Sequence, residues 1–120
     1  HGCDGLCDLI ITTESTCAEV REAQIAGRTI RPEDAGLSRG SLDMLRVSSA
    51  NESAEAIRAI LDGEPGPRRD HTLLNAALAL VAAEAANDLK EGAALAAAAI
   101  DSGAARTVLD KLIKTSRANA

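Results

Sequence analysis

The chain has 120 residues, of which 46 % are hydrophobic, with no Phe, Tyr or Trp and a formal net charge of −5. That length suits one modest domain with a thin, alanine-rich core. The missing aromatic platforms and basic stripe exclude nucleic acid as a partner and a polybasic membrane contact, and no apolar run approaches the roughly 20 residues of a spanning helix.

Residues 1–31 read as strand and loop. Leu9-Ile10-Ile11 is an apolar, largely β-branched run that suits a buried strand. Thr16 to Arg21 and Arg28 to Arg31 suit two further strands, joined through Glu22 to Gly27. Pro32-Glu33-Asp34-Ala35-Gly36 is a breaker segment and reads as loop. Residues 41–116 read as helices, opening with a short one marked by Leu42 and Leu45. Ser49 and Glu52 form a capping box before Ala54, Ile57, Ile60 and Leu61. Gly63 ends that helix, and Pro65-Gly66-Pro67 makes a rigid connection. Asp70 is placed to cap the next helix, whose apolar face is Leu74, Ala77, Leu78 and Val81. Asp88 and Glu91 pair similarly ahead of Leu95, Ala96, Ala99 and Ile100, and Gly103 closes that helix. Ser102 is placed to cap a last helix bearing Ala105, Val108, Leu109, Leu112 and Ile113. After Lys114 the tail is polar and expected to fray.

The odd count of cysteines, Cys3, Cys7 and Cys17, argues against a closed disulfide framework and for a reduced, cytoplasmic setting. With His1 they offer the donors zinc takes, but not the usual Cys-x2-Cys knuckle, so small buried hydrophobes is the preferred reading. A nucleophilic Cys-His-Asp arrangement would need His71 or His1 to converge with a cysteine and an acid. His71, at a predicted helix start, reads instead as solvated or capping. No phosphate-binding glycine loop is present. Asp4 and Asp8, in or beside a Gly-containing loop, are oxygen donors of the kind a hard cation takes. No signal peptide is visible, and a start at His1 rather than Met suggests a piece of something longer.

Taken together, these segments resemble the anthranilate phosphoribosyltransferase family. His1-Gly2-Cys3-Asp4-Gly5-Leu6-Cys7-Asp8 is similar to the family's His-Gly-x-Asp-Gly-Leu-Asp-Glu. Pro32-Glu33-Asp34-Ala35-Gly36-Leu37 is similar to its Pro-Glu-Asp-Phe-Gly-Leu. Ile60-Leu61-Asp62-Gly63, Gly66-Pro67-Arg68-Arg69-Asp70, Leu74-Asn75-Ala76-Ala77 and Ile100-Asp101-Ser102-Gly103-Ala104 follow in family order. The resemblance implies an α/β fold. The chain would be the C-terminal part of a nucleoside phosphorylase/phosphoribosyltransferase-type catalytic domain, with a few N-terminal strands and a mostly helical remainder. It implies transfer from phosphoribosyl pyrophosphate to anthranilate, in a homodimer, with the pyrophosphate loop and the anthranilate-holding residues upstream of His1.

It also implies a magnesium ion held at the positions of Cys7 and Asp8. Cys7 stands where the family has Asp, and a thiol is a poor magnesium ligand. Asp8 stands where it has Glu, Ala35 where it has Phe, and Val47-Ser48-Ser49 replaces Gly-Gly-Asp. Weakened metal binding is therefore expected. A diverged, non-catalytic scaffold or another enzyme of the superfamily, such as a nucleoside phosphorylase, is the alternative.

Overall fold

The computed structural model describes residues 1–118. Two strands, β1 (Ser15–Arg21) and β2 (Gln24–Ile30), form an antiparallel hairpin with Ser15 opposite Ile30 and Arg21 opposite Gln24. The turn is two residues, Glu22 at φ 50° and Ala23 at φ 62°. Both lie in the left-handed region, where the backbone twist matches that of the strands. Such a turn normally announces itself with Asn-Gly. Here the cue is absent, so β2 begins at Gln24 rather than at the expected Arg28.

Leu9, Ile10 and Ile11 are buried, as expected, but they are not a strand. Side chains and loop backbone satisfy this run instead of a ladder. The Asn75 amide accepts from Leu9 N at 3.0 Å and donates to Leu9 O at 2.9 Å. Ile10 N donates to Ser15 Oγ at 3.0 Å, and Gly40 N donates to Ile11 O at 3.2 Å. Buried peptide groups need partners, but any partner will do.

Pro32–Ala35 is a 3-10 helix rather than loop, ended by Gly36 at φ 73°. Arg31 N donates to Asp34 Oδ2 at 2.7 Å and holds its first turn. The short helix α1 (Leu42–Leu45) lies where Leu42 and Leu45 predict it. Helix α2 (Ala50–Leu61) is capped by Ser49, whose hydroxyl accepts from Glu52 N at 3.1 Å. The returning Glu52 carboxylate reaches Ser48 N and Oγ, each at 2.7 Å, rather than Ser49 N.

Helix α3 (Pro67–Ala82) starts three residues before the expected Asp70 cap, with Gly66 at its N-cap. Proline at the first helical position has its φ already set and no N–H to satisfy. Helix α4 (Leu89–Asp101) is capped by Asp88, which accepts from Glu91 N at 2.8 Å. Helix α5 (Ala104–Ala118) runs through the segment expected to fray, while residues 119–120 of that tail lie outside the described residues. Ser102 does not cap it; the hydroxyl turns back to Ala99 O at 3.4 Å.

The core lies between α3, α4 and the loops beneath the hairpin. One cluster joins Leu9, Ile30, Ala35, Leu74, Ala77 and Ala93. A second joins Leu73, Ala96 and Ile100. The small side chains let α3 and α4 approach closely. A Cβ built on Gly92 would stand 2.9 Å from both the Cα and the carbonyl oxygen of Ala77. The buried face of α4 is Gly92, Ala93, Ala96 and Ile100, whereas Leu95 and Ala99 of the expected face are exposed. Among the described residues no helix is long and apolar enough to cross a membrane.

Candidate functional site

The N-terminal loop is held by its own backbone. Gly2 N donates to Leu6 O at 2.9 Å, Gly5 N to Gly2 O at 3.1 Å, and Cys3 N to Glu14 O at 2.9 Å. Asp4 serves the same loop: its carboxylate accepts from Leu6 N at 3.2 Å and from Thr12 Oγ1 at 2.9 Å. Asp8 has a left-handed backbone, φ 64°, uncommon outside glycine and tolerated best by Asp and Asn. Leu9, next in the chain, is pinned by Asn75, so the turn at Asp8 is set by a residue of α3 that lies 66 positions beyond Leu9.

Cys7 and Asp8 both line a cleft of about 420 Å³. Its other walls are Leu6 and Ile10 from the loop, Leu42, Leu45 and Arg46 from α1 and its end, Ile57 and Ile60 from α2, and His71 and Thr72 from α3. Arg68 ties the α1 segment down, with Nε donating to Met44 O at 2.9 Å and Nη2 to Arg46 O at 2.8 Å. Arg46 itself is largely in solvent, 3.9 Å from Asp43. The cleft is thus a largely apolar trough with cations at Arg46 and Arg68 and a carboxylate at Asp8, the composition expected of a small-molecule site.

His71 is neither solvated nor capping, contrary to the sequence reading. It lies within α3, half-buried, and its Nδ1 is buried with no hydrogen-bond partner. Burial pushes the imidazole below the ordinary histidine value, and the nearby Asp8 carboxylate pulls it partly back. The signal that would have found it is periodic. Arg68, His71, Thr72 and Asn75 recur at i, i+3, i+4 and i+7, a polar stripe along α3 distinct from its apolar one.

Two of the three cysteines are not the buried hydrophobes expected, while Cys17 packs against the first core cluster. Cys3 and Cys7 are exposed and Cys17 is half-buried. Among the described residues no group of three or more His, Cys, Asp and Glu lies close enough together to hold a metal ion. This bears equally on a zinc site at His1, Cys3, Cys7 and Cys17. For magnesium, the Cys7 thiol is the wrong donor and Asp4 is already engaged, which leaves Asp8 as one hard ligand. The Cys7 and Asp8 pair does not by itself fit magnesium.

Comparison with known proteins follows the same residues. The family described as "Glycosyl transferase family, a/b domain" matches residues 1–106. An anthranilate phosphoribosyltransferase of Rhodopseudomonas palustris (strain TIE-1) is 49 % identical over 118 residues, 98 % of this chain and 35 % of that protein. One from Geotalea uraniireducens (strain Rf4) is 48 % identical over 114 residues, 95 % of this chain and 33 % of that protein. The crystal structure of the anthranilate phosphoribosyltransferase of Thermus thermophilus superposes with a TM-score of 0.77 at 32 % identity, covering 90 % of this chain and 32 % of that one. The chain spans about a third of the length of the curated relatives it matches. By its α/β fold and by these matches, the chain belongs to the glycosyl transferase family and, within it, to the anthranilate phosphoribosyltransferases.

Proposed function

We propose that this chain forms part of an enzyme that transfers the phosphoribosyl group of phosphoribosyl pyrophosphate to anthranilate, in the cytoplasm, on the way to tryptophan. The reading is carried by the identity of 49 % sustained over 98 % of the chain. In the reaction the anthranilate amine attacks the anomeric carbon, the bond to pyrophosphate breaks, and the amine gives up a proton. Such a displacement depends on holding two partners in line more than on a protein nucleophile. The residues on the cleft suit that role: its walls are largely apolar, and Arg46 and Arg68 offer cations to an anionic substrate. The resemblance to the family adds magnesium and homodimer formation, and the missing aromatics and basic stripe argue against a nucleic-acid partner. Magnesium would neutralise charge on the pyrophosphate, and of Cys7 and Asp8 only Asp8 suits it.

The chain covers about a third of its relatives, so these 120 residues by themselves are not expected to complete the reaction. The test is a chimera in which the matching third of the Rhodopseudomonas enzyme is replaced by this chain. Formation of phosphoribosylanthranilate by the chimera, and none above a no-protein control by the chain alone, is the expected result. A folded chimera with no activity would overturn the reading. The thiol at Cys7 favours a second reading, in which the fold is kept and transfer is lost. Activity that appears only in the Cys7→Asp chimera would decide for it.

A further inference from the structure

The edge of β1 that faces away from β2 is already in use at one end. Thr16 N donates to His1 O at 2.8 Å, and His1 N donates to Thr16 O at 3.1 Å. Gly2 stands opposite Ser15 in an antiparallel bridge, and Cys3 N donates to Glu14 O at 2.9 Å. These are the bonds of an antiparallel ladder, in which a doubly bonded pair, His1 with Thr16, stands next to an unbonded pair, Gly2 with Ser15. His1 thus lies on β1 as a strand residue would, with the chain running onward into the Cys7 and Asp8 loop.

The register of the hairpin fixes which groups along that edge are free. Arg21 and Gln24 close the two-residue turn, so they exchange both of their bonds. Bonded pairs alternate along an antiparallel ladder, so Glu19, Cys17 and Ser15 also turn their peptide groups to β2. Thr16, Ala18 and Val20 turn theirs the other way. Thr16 meets His1 there, while among the described residues no backbone group outside the hairpin bonds to Ala18 or Val20. Such a row of open N–H and C=O groups is a template for another strand.

We propose that the segment leading into His1 in the longer protein is a strand antiparallel to β1, which continues this ladder and makes β1 the middle strand of its sheet. By the register of His1 on Thr16, the second residue before His1 exchanges both bonds with Ala18, and the fourth with Val20. Opposed residues point their side chains to the same face of a sheet. The first residue before His1, opposite Cys17, therefore faces the first core cluster, against which Cys17 packs, and is apolar. The pairing has a consequence for the site. It holds the Cys7 and Asp8 loop at the carboxyl end of a strand, where α/β proteins place their ligands, and so sets that loop against the upstream part. The occupant rests on the reading above, that the chain is part of a longer enzyme; the open edge of β1 does not.

The experiment compares the 120-residue chain with the chimera that carries the upstream part of the Rhodopseudomonas enzyme, by amide hydrogen exchange followed residue by residue in NMR spectra. The Cys17 and Glu19 amides, bonded to β2, serve as the reference in both proteins. The Ala18 and Val20 amides should exchange freely in the chain alone and about tenfold or more slowly in the chimera. Ala18→Pro gives a second measurement, since it removes only the outward N–H, and proline is tolerated at a sheet edge but not in its middle. It should leave the urea midpoint of the 120-residue chain nearly unchanged and lower that of the chimera. Ala18 and Val20 amides that exchange as fast in the chimera as in the chain overturn the proposal, as does an Ala18→Pro chimera as stable as its parent. Neither measurement uses the transfer reaction. An inactive chimera with protected Ala18 and Val20 overturns the transfer reading alone, and an active one with unprotected amides overturns the pairing alone.

Discussion

Asn75 shows how much one side chain carries here. Its amide answers both peptide groups of Leu9 and also donates to His71 O at 3.0 Å. Asn75→Ala strips a buried N–H and a buried C=O of their partners, each worth about 1–3 kcal/mol when left unsatisfied. We expect a loss of that order in urea unfolding, together with faster amide exchange at Leu9 and Asp8. Unchanged exchange at Leu9 would mean that the loop is held by other contacts. Cys7 is the second residue of consequence. It is exposed on the cleft and free of packing duty, so Cys7→Asp should leave stability within about 0.5 kcal/mol. In the active chimera the same change should lower the magnesium requirement by about tenfold, the low end of what even outer partners of a metal contribute. A magnesium dependence of the rate that does not move would show that Cys7 is not at a working metal position.

At the scale of elements, the helix pair α3 and α4 depends on a missing side chain. Gly92→Ala would force a Cβ to 2.9 Å from the Ala77 backbone. Backbone has no rotamer to change, so the helices must part. Overpacking of this kind costs about 1–3 kcal/mol, read as a lower urea midpoint, despite the better helix propensity of alanine. A rise in the midpoint would show that the helices are free to separate. The start of α2 is sensitive to acid. Bonds from Ser48 Oγ and N hold the Glu52 carboxylate below its ordinary value of 4.5, helped by Arg68. A depressed carboxylate stabilises the fold above its unfolded value and loses that contribution as pH falls through the folded one. Glu52→Gln should therefore reduce the fall in stability below about pH 4.5. Matching acid profiles for both proteins would show that the contact is screened away.

For the whole molecule, the thin core and open surfaces set the behaviour. The buried hydrophobics include many alanines and no aromatic ring, and alanine buries far less area than a large side chain. We expect the isolated chain to unfold below about 65 °C, the upper end for mesophile domains, at a midpoint that rises with protein concentration. A cooperative, concentration-independent transition above that temperature would contradict both expectations.

What the sequence determined by itself is local. Ser49, Asp88, Gly63 and Gly103 mark helix ends because caps and stops involve residues within a turn of one another, and the helices lie close to where those signals put them. The order of short motifs was enough to indicate the family, since it needs only the chain read once from end to end. The tertiary structure decided everything that needed a partner far away. It made Leu9 to Ile11 a buried loop, because Asn75 and Gly40 rather than a neighbouring strand answer its peptide groups. It put Cys3 and Cys7 outside and left Cys17 half-buried against the first core cluster. It turned His71 inward beside Cys7 and Asp8 by carrying a polar stripe of α3 to the N-terminal loop. Burial and encounter depend on how elements pack, and the packing of α3 on α4 is a property of both helices at once, which neither stretch of sequence states alone.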